Sequence, residues 1–244
     1  MAGSERGALA AILGIGLGAC ALITDPDAHL GTECGALELS GGSAITEPSE
    51  MHRLTTFTLE AWINPAERSD SRPWNIAALW RELGVAGSYG LFIDDAGHPA
   101  LAVTCAATDP PTVTAHGGAP IGAGVWRHVA ATFERGTTRV FLDGEPSEVM
   151  LACASPHPLN HGFQLAHHDP AGGTSFRGLL DEVRLSRTVR YAGTFTPART
   201  FEPDGDTMLL FQFEEADRVR DGSVHALDAT PVGSVALTRA CRPR

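Results

Sequence analysis

Residues 125–144 read VWRHVAATFERGTTRVFLDG, and the pattern of their side chains predicts the fold class. Its first half alternates along the chain with a period of two residues, which is typical of a strand that is buried on one side. One predicted face consists of Val125, Val129, Ala131 and Phe133, and the other of Trp126, His128 and Thr132. The stretch therefore begins with a predicted β-strand.

The second half of the same stretch contains turn signals. Gly136-Thr137 is a short turn that leads into another alternating run at 138–142. The pair Asp143-Gly144 that follows is a strong signal for a two-residue hairpin, because both residues tolerate a positive φ. We therefore expect consecutive antiparallel strands joined by tight turns.

The same alternation recurs elsewhere. In 56–64, Phe57, Leu59, Ala61 and Ile63 share one predicted face, opposite Thr58, Glu60 and Trp62. Further strands are predicted at 76–81, 89–93, 100–105, 148–153, 163–167, 176–185, 208–214 and 234–238. Beyond residue 20, no long stretch has the 3.6-residue period of a helix. The prediction is one all-β domain of about 200 residues, an antiparallel sandwich of two sheets.

Five segments, in the same order along the chain, resemble the laminin-G-like (LamG-like) family. They are ALELSGG (36–42) with FTLEAWINP (57–65), WRHVAATF (126–133) with RVFLDG (139–144), FRGLLDEVRLS (176–186), YAGTFTP (191–197), and LLFQFE (209–214) with DGS (221–223). The resemblance covers about residues 36–240 and implies the concanavalin A-like jelly roll. It implies less about activity, because lectins, adhesins, glycosidases and structural modules share this scaffold.

The N-terminus predicts export. Residues 8–19, ALAAILGIGLGA, are apolar and uncharged. This run is too short to cross a bilayer as a mature helix but suits the core of a signal peptide. It ends in Leu17-Gly18-Ala19-Cys20, which resembles the bacterial lipobox, whose cysteine is acylated and becomes the new N-terminus. We expect the lipid on Cys20 to anchor the protein in the bacterial envelope.

The expected organisation has three parts: a lipoprotein signal peptide at 1–19, a lipidated N-terminus and tether at 20–35, and a LamG-like jelly-roll domain at 36–244. The residue after Cys20 is Ala21. Because this position lacks the Asp that retains such proteins in the inner membrane of enteric bacteria, the outer membrane is the expected location.

Four further cysteines remain: Cys34, Cys105, Cys153 and Cys241. An even number in an exported protein indicates two disulfides, for which three pairings are possible. We expect Cys105–Cys153 and Cys34–Cys241, the second of which would join the two ends of the domain. A zinc site is the alternative, but the chain contains no CxxC pair and no close cluster of Cys and His.

Composition and charge exclude several classes of protein. All 18 basic residues are arginine, against 29 acidic residues, and the formal net charge is -11. Without lysine, the chain cannot form a Schiff-base, pyridoxal-phosphate or phosphate-loop lysine site. The acidic balance argues against nucleic acid as a partner, because such binding needs a basic surface.

Catalytic carboxylates are poorly represented. Glycosidases of this fold place paired acids on one strand, where residues two apart share a face. The chain offers Glu215-Ala216-Asp217, at the end of a predicted strand, and Asp181-Glu182, whose adjacent carboxylates are expected to point to opposite faces. Neither pattern is complete, so no catalytic residue is assigned.

Calcium is the cofactor that the resemblance makes possible, because many relatives bind it at the rim or on the concave face. The candidate ligands, all near predicted strand ends or turns, are Asp181, Asp143, Asp94, Asp95 and Asn75. The candidate ligand-stacking residues are Trp74 and Trp80, which flank a variable loop. Trp62 and Trp126, in the motif strands, are expected in the core.

The function expected from these features is non-catalytic binding. The chain would be a lipid-anchored, lectin- or adhesin-like surface domain that recognises glycans or surface proteins. The alternatives are a structural or accessory module of an envelope complex without its own ligand and, third, a glycoside hydrolase of the same fold.

Overall fold

The structure, a computed structural model, describes residues 35–69, 71–80, 87–106, 112–150, 154–166, 175–240 and 242, with the backbone alone at 148–150. The described strands all belong to one compact unit, Glu33–Arg244. The predicted signal peptide, Cys20, Cys34, Cys153 and Cys241 lie outside the described residues. Within those ranges, no helix is long and apolar enough to cross a membrane.

The described residues form fifteen strands and a single turn of 3-10 helix at Glu50–His52. The strands are β1 (Gly35–Ser40), β2 (Ser43–Thr46), β3 (Thr56–Pro65), β4 (Trp74–Leu79), β5 (Tyr89–Ile93), β6 (Pro99–Thr104), β7 (Thr112–His116), β8 (Arg127–Glu134), β9 (Thr137–Leu142), β10 (Glu145–Met150), β11 (Gln164–Leu165), β12 (Arg177–Ser186), β13 (Thr207–Phe211), β14 (Ala229–Val232) and β15 (Val235–Arg239).

These strands form two antiparallel sheets. The eight-stranded sheet has the order β10-β9-β8-β3-β12-β1-β15, with β13 also paired to β12. The seven-stranded sheet has the order β14-β2-β11-β4-β5-β6-β7. The two inner faces interdigitate to form one core, with fully buried Phe57, Phe133 and Tyr89 stacked between them. The predicted all-β, two-sheet jelly-roll sandwich is confirmed.

The segment 125–144 contains two consecutive hairpin turns. Arg135 and Gly136 have φ of 49° and 83°, and Asp143 and Gly144 have φ of 51° and 84°. Two successive positive φ values define the type I′ turn, whose twist matches that of the flanking strands. The first turn is centred on Arg135-Gly136, one residue earlier than predicted.

The outer face of the eight-stranded sheet is covered by residues 187–206, here called the covering segment. Tyr191 and Phe195 stack at 3.5 Å between ring centroids and pack against Phe141. The Trp62 indole donates a hydrogen bond to the carbonyl of Ala198 over 2.9 Å. Trp62 therefore lies on the outer face and is half-buried, as is Trp126, so the expectation that both belong to the core is wrong.

Asp181 and Glu182 also depart from the expected geometry. The register of β12 against β3 shifts between Asp181 and Arg184, and Glu182 has a φ of 49°. This bulge adds a residue to the strand, so the simple alternation of faces is lost. Both carboxylates consequently approach the guanidinium of Arg242, and the prediction that they point to opposite faces is wrong.

Candidate functional site

A groove of about 360 Å³ lies on the outer face of the seven-stranded sheet. Ligand pockets commonly measure about 300–1,000 Å³ and combine apolar and aromatic walls with a few convergent polar groups. The groove is lined by Pro73, Asn75, Trp80, Phe92, Asp94, Asp95, Ala100, Ala102, Thr112, Thr114 and His116. It runs across the four consecutive strands β4, β5, β6 and β7.

The floor of the groove follows from strand register and side-chain size. One row of cross-strand neighbours on this face is Asn75, Phe92, Ala100 and His116, and the next is Ala78, Gly90, Ala102 and Thr114. Apart from Phe92, the middle positions of these rows are alanine or glycine, so few side-chain atoms rise above the backbone there. Larger side chains of the lining form the walls: Trp80, Phe92, Asp94 and His116.

Trp80 and Phe92 form an aromatic wall. Their rings meet edge to face, with centroids 5.9 Å apart, and both side chains are half-buried. Two glycines make room for them. A Cβ on Gly87 would lie 2.0 Å from the Trp80 ring, and one on Gly90 would lie 2.7 Å from the Phe92 ring. Both rings can therefore lie close to the sheet and present a surface to the groove.

Asp94 and His116 form the polar wall. One carboxylate oxygen of Asp94 accepts the backbone N–H of His98 over 2.8 Å, and the other contacts Nδ1 of His116 over 2.7 Å. An ionised carboxylate can only accept, so Nδ1 of His116 carries the proton. The His116 side chain is 54% exposed, against 12% for Asp94. Asp94 thus orients His116 while the remainder of the imidazole faces solvent.

Asn75 contributes a buried polar atom at the end of the groove. The residue is 2% exposed, and its Oδ1 has no hydrogen-bond partner among the described residues. Buried polar atoms are nearly always paired, so an unpaired one marks a place where a ligand or water would be accepted. The register of β4 against β5 shifts between Asn75 and Ala77, which sets the position of this side chain.

The structure brings together four of the residues singled out in the sequence: Asn75, Trp80, Asp94 and Asp95 all line the groove. Trp74 does not join them. Its ring is 4% exposed and packs edge to face against Phe176 in the core. Of the two candidate stacking residues, only Trp80 lines the groove.

The remaining two calcium candidates lie elsewhere and have protein partners. Asp143 accepts hydrogen bonds from the backbone N–H of His128 and from Arg127. Asp181 accepts from the backbone of Glu182 and from Arg242. Burial raises the pKa of Asp181 to about 8, although the nearby Arg242 opposes that shift. In the described part of the chain, no group of three or more His, Cys, Asp or Glu could hold a metal ion.

A larger cleft, of about 610 Å³, lies at the strand ends of the eight-stranded sheet. Its charged lining residues are Glu38, Glu67 and Arg177. None of its described lining residues is aromatic, so it offers no surface on which a sugar ring could stack. Volume alone does not decide the site, and the smaller aromatic groove is the better candidate.

Cys105 takes part in a disulfide, and every cysteine that could be its partner lies outside the described residues. The chain returns beside it at 154–157. The backbone N–H of Ala106 donates to the carbonyl of Ser155, and that of His157 donates to the carbonyl of Thr104. The Cys105–Cys153 and Cys34–Cys241 pairings stay predictions.

Comparison with known proteins places this fold in a family. Residues 39–193 match the laminin G family model described as the concanavalin A-like lectin/glucanases superfamily. No curated protein matches the chain by sequence.

Solved structures share the fold at low identity. A provisionally assigned carbohydrate-binding protein from Bacteroides ovatus ATCC 8483 is 18% identical, with a TM-score of 0.66 over 85% of this chain; the chain spans 60% of that protein's length. The heptameric SAP-like pentraxin from Limulus polyphemus is 12% identical, with a TM-score of 0.58 over 86% of this chain and 97% of its own. Domains LG4-5 of the mouse laminin alpha1 chain are 15% identical, with a TM-score of 0.53; the match covers 86% of this chain and 46% of the laminin chain.

The family match covers more than half of the chain. The described strands form two antiparallel sheets, which is the architecture of the concanavalin A-like fold. The chain belongs to the concanavalin A-like lectin/glucanase superfamily.

Proposed function

We propose that this protein is a non-catalytic glycan-binding domain and that the groove on the seven-stranded sheet is its binding site. The observation that carries the proposal is the pairing of an aromatic wall, Trp80 and Phe92, with a polar wall, Asp94 and His116, across a floor of small residues. A sugar ring has an apolar face that stacks on aromatic rings and an equatorial belt of hydroxyls that hydrogen-bond to polar groups.

Binding, and not hydrolysis, is proposed because Asp94, Glu215 and the pair Asp181-Glu182 are engaged in other contacts. Asp94 uses both carboxylate oxygens to hold His98 and His116. Glu215 contacts Arg218 and Arg220, and Asp181 and Glu182 are buried beside Arg242. A retaining glycosidase needs two accessible carboxyl groups about 5 Å apart on either side of the scissile bond.

The proposal includes export and lipid anchoring at Cys20, with the binding domain held at the bacterial envelope, in its outer membrane. Its support is the lipobox-like sequence Leu17-Gly18-Ala19-Cys20 behind an apolar run. Mass spectrometry of the N-terminal peptide tests this part: a diacylglyceryl group on Cys20 is expected, and an unmodified Cys20 in an otherwise mature chain would refute it.

A glycan array followed by calorimetry tests the binding proposal. The full chain should bind at least one class of glycan, and Trp80→Ala should weaken that binding about tenfold through loss of the stacking surface. Trp126→Ala is the matched control, since Trp126 is also half-buried and does not line the groove. A blank array, or equal losses for the two variants, would overturn the proposal.

The same array, run in calcium and then in a chelator, tests calcium as a cofactor. The three groove candidates, Asn75, Asp94 and Asp95, are the proposed ligands. If they hold calcium, chelation should abolish binding and Asp95→Asn should weaken the response to calcium. Binding that is identical in both conditions would remove calcium from the proposal and leave the glycan site intact.

A further inference from the structure

We infer that the groove, when it holds no calcium, selects neutral glycans and discriminates against those that carry a carboxylate, sulfate or phosphate. This inference rests on the proposed glycan-binding function and specifies its ligand class. It follows from the sign of the charges that line the groove and from the hydrogen-bonding character of its polar wall.

The charged side chains on the described lining are acidic. Asp94 and Asp95 each contribute a carboxylate, and His116 is the single potentially cationic residue among the described residues that line the groove. Recognition of an anionic group relies on arginine, lysine or converging backbone N–H groups. Lysine is absent from the whole sequence, and the described lining contains no arginine.

Arg68 contacts the backbone next to the groove, but its guanidinium is already engaged. Its Nη1 donates to the carbonyl of Asp94 over 2.7 Å, and its Nη2 donates to the carbonyl of Arg72. The same guanidinium lies 5.4 Å from the centroid of the Trp74 ring, which belongs to the core. Arg68 therefore supports the turn that carries Asp94 and Asp95 and does not line the groove.

The polar wall is rich in hydrogen-bond acceptors. A neutral His116 imidazole whose Nδ1 donates to Asp94 presents Nε2 as an acceptor. The Asp95 carboxylate on the lining adds further acceptor atoms. The hydroxyl groups of a neutral sugar can donate to all of these atoms, whereas a carboxylate or sulfate has no proton to donate. Charge and hydrogen bonding thus favour the same ligand class.

An array, run in a chelator, that prints the same neutral oligosaccharide cores with and without a sialic acid, a uronic acid or a sulfate tests this inference. Because like charges a few ångströms apart repel, each acidic derivative should bind the full chain about tenfold more weakly than its neutral core. Acidic derivatives that bind as well as the neutral cores, or better, would overturn the inference while supporting the proposed function. An array that is blank in chelator would overturn the inference, and one that is blank in calcium as well would overturn both.

A charge-reversal pair localises the effect. Asp95→Arg should remove most of the discrimination, because it places a cation on the groove lining. Glu134→Arg makes the same change in net charge at an exposed residue of β8, on the other sheet, and should leave the discrimination unchanged. Equal effects of the two variants would overturn the inference, since the discrimination would then arise from the overall charge of the protein.

Discussion

Glu60 and Arg184 form an ion pair that is buried beneath the covering segment. One carboxylate oxygen of Glu60 accepts two hydrogen bonds from Arg184, one from Nε over 2.9 Å and one from Nη2 over 2.7 Å. The other oxygen accepts a hydrogen bond from the hydroxyl of Tyr191 over 2.8 Å and lies 3.2 Å from Nε2 of His128. The Arg184 guanidinium also lies over the Phe201 ring, 4.2 Å from its centroid. One carboxylate therefore joins strands β3, β8 and β12 to the covering segment.

Glu60→Gln should destabilise the protein by about 3 kcal/mol, because it leaves the buried guanidinium of Arg184 without its counter-charge. Chemical denaturation measures the change in the free energy of unfolding. Asp206→Asn, which breaks the exposed pair with Arg187, is the control and should cost less than about 1 kcal/mol. Similar losses for the two variants would contradict the assigned role of Glu60.

Acid should weaken the same cluster. Burial raises the pKa of Glu60, but the hydrogen bond from His128 and the charge of Arg184 outweigh this effect, so the pKa lies below the usual value of 4.5. A lowered carboxyl pKa contributes stability above 4.5, and this contribution is lost as the pH falls through the folded-state pKa. The melting temperature of the wild type should therefore fall below pH 4.5 more steeply than that of Glu60→Gln.

Alkaline pH should destabilise the site of Asp181. Burial raises the pKa of this carboxyl from 3.8 to about 8. A raised pKa means that the folded state holds the proton more tightly, so stability falls as the pH rises from about 4 through about 8. Thermal unfolding from pH 5 to 9 should show a steeper decline for the wild type than for Asp181→Asn. The exposed Asp217→Asn is the control, and a flat wild-type profile would refute the prediction.

Gly90→Ala should weaken glycan binding about tenfold, since its Cβ would lie 2.7 Å from both the Phe92 ring and the Cβ of Ala78. Displacing Phe92 would disturb the aromatic wall. Gly205→Ala is the matched control, because its added Cβ would meet nothing within 4 Å. Calorimetry gives the affinity and thermal unfolding shows whether each variant is folded; unchanged affinity for a folded Gly90→Ala would remove Phe92 from the site.

Peptide mapping without reductant should link Cys105 to Cys153. The antiparallel backbone contacts between 104–106 and 155–157 bring the chain back beside Cys105 two residues after Cys153. On the chain-entropy account, a closed loop of this length contributes about 4 kcal/mol. A peptide that links Cys105 to Cys34 or Cys241 would contradict the predicted pairing.

The strands that alternate strictly could be predicted from the sequence, because a two-residue period reports burial on one face. Four strands were not predicted from alternation: β1, β2, β7 and β14. Residues 36–42, which contain most of β1, were singled out only for their resemblance to the LamG-like family. Strand β2 has four residues, β14 contains Pro231, and β7 is an edge strand with mostly exposed or half-buried side chains. Length, proline and exposure each weaken the periodic signal.

Several individual residues of the groove could be predicted from the sequence, but the groove itself could not. Asn75, Trp80, Asp94 and Asp95 carry recognisable chemistry, but their proximity depends on the order β4-β5-β6-β7, which the local sequence does not contain. Because β7 was not predicted, Thr112, Thr114 and His116 were absent from the candidates. Asp94 and His116 are 22 residues apart in the sequence, so their pairing is not a local feature. The sequence signals that could have indicated it are the tight turn after Asp94 and the position of His116 in an alternating, Thr-rich segment.

The two outer faces of the sandwich differ in a way that affects avidity. Residues 187–206 cover much of one face, so in the described part of the chain the aromatic groove is on one side only. If the groove binds glycans as proposed, and no other site does, such a domain would be monovalent toward a repeating polysaccharide. Strong adhesion would then require many copies displayed on one surface, where tethering converts successive binding events into intramolecular ones at about millimolar effective concentration. The surface density of the protein, more than the affinity of one groove, would set the strength of attachment.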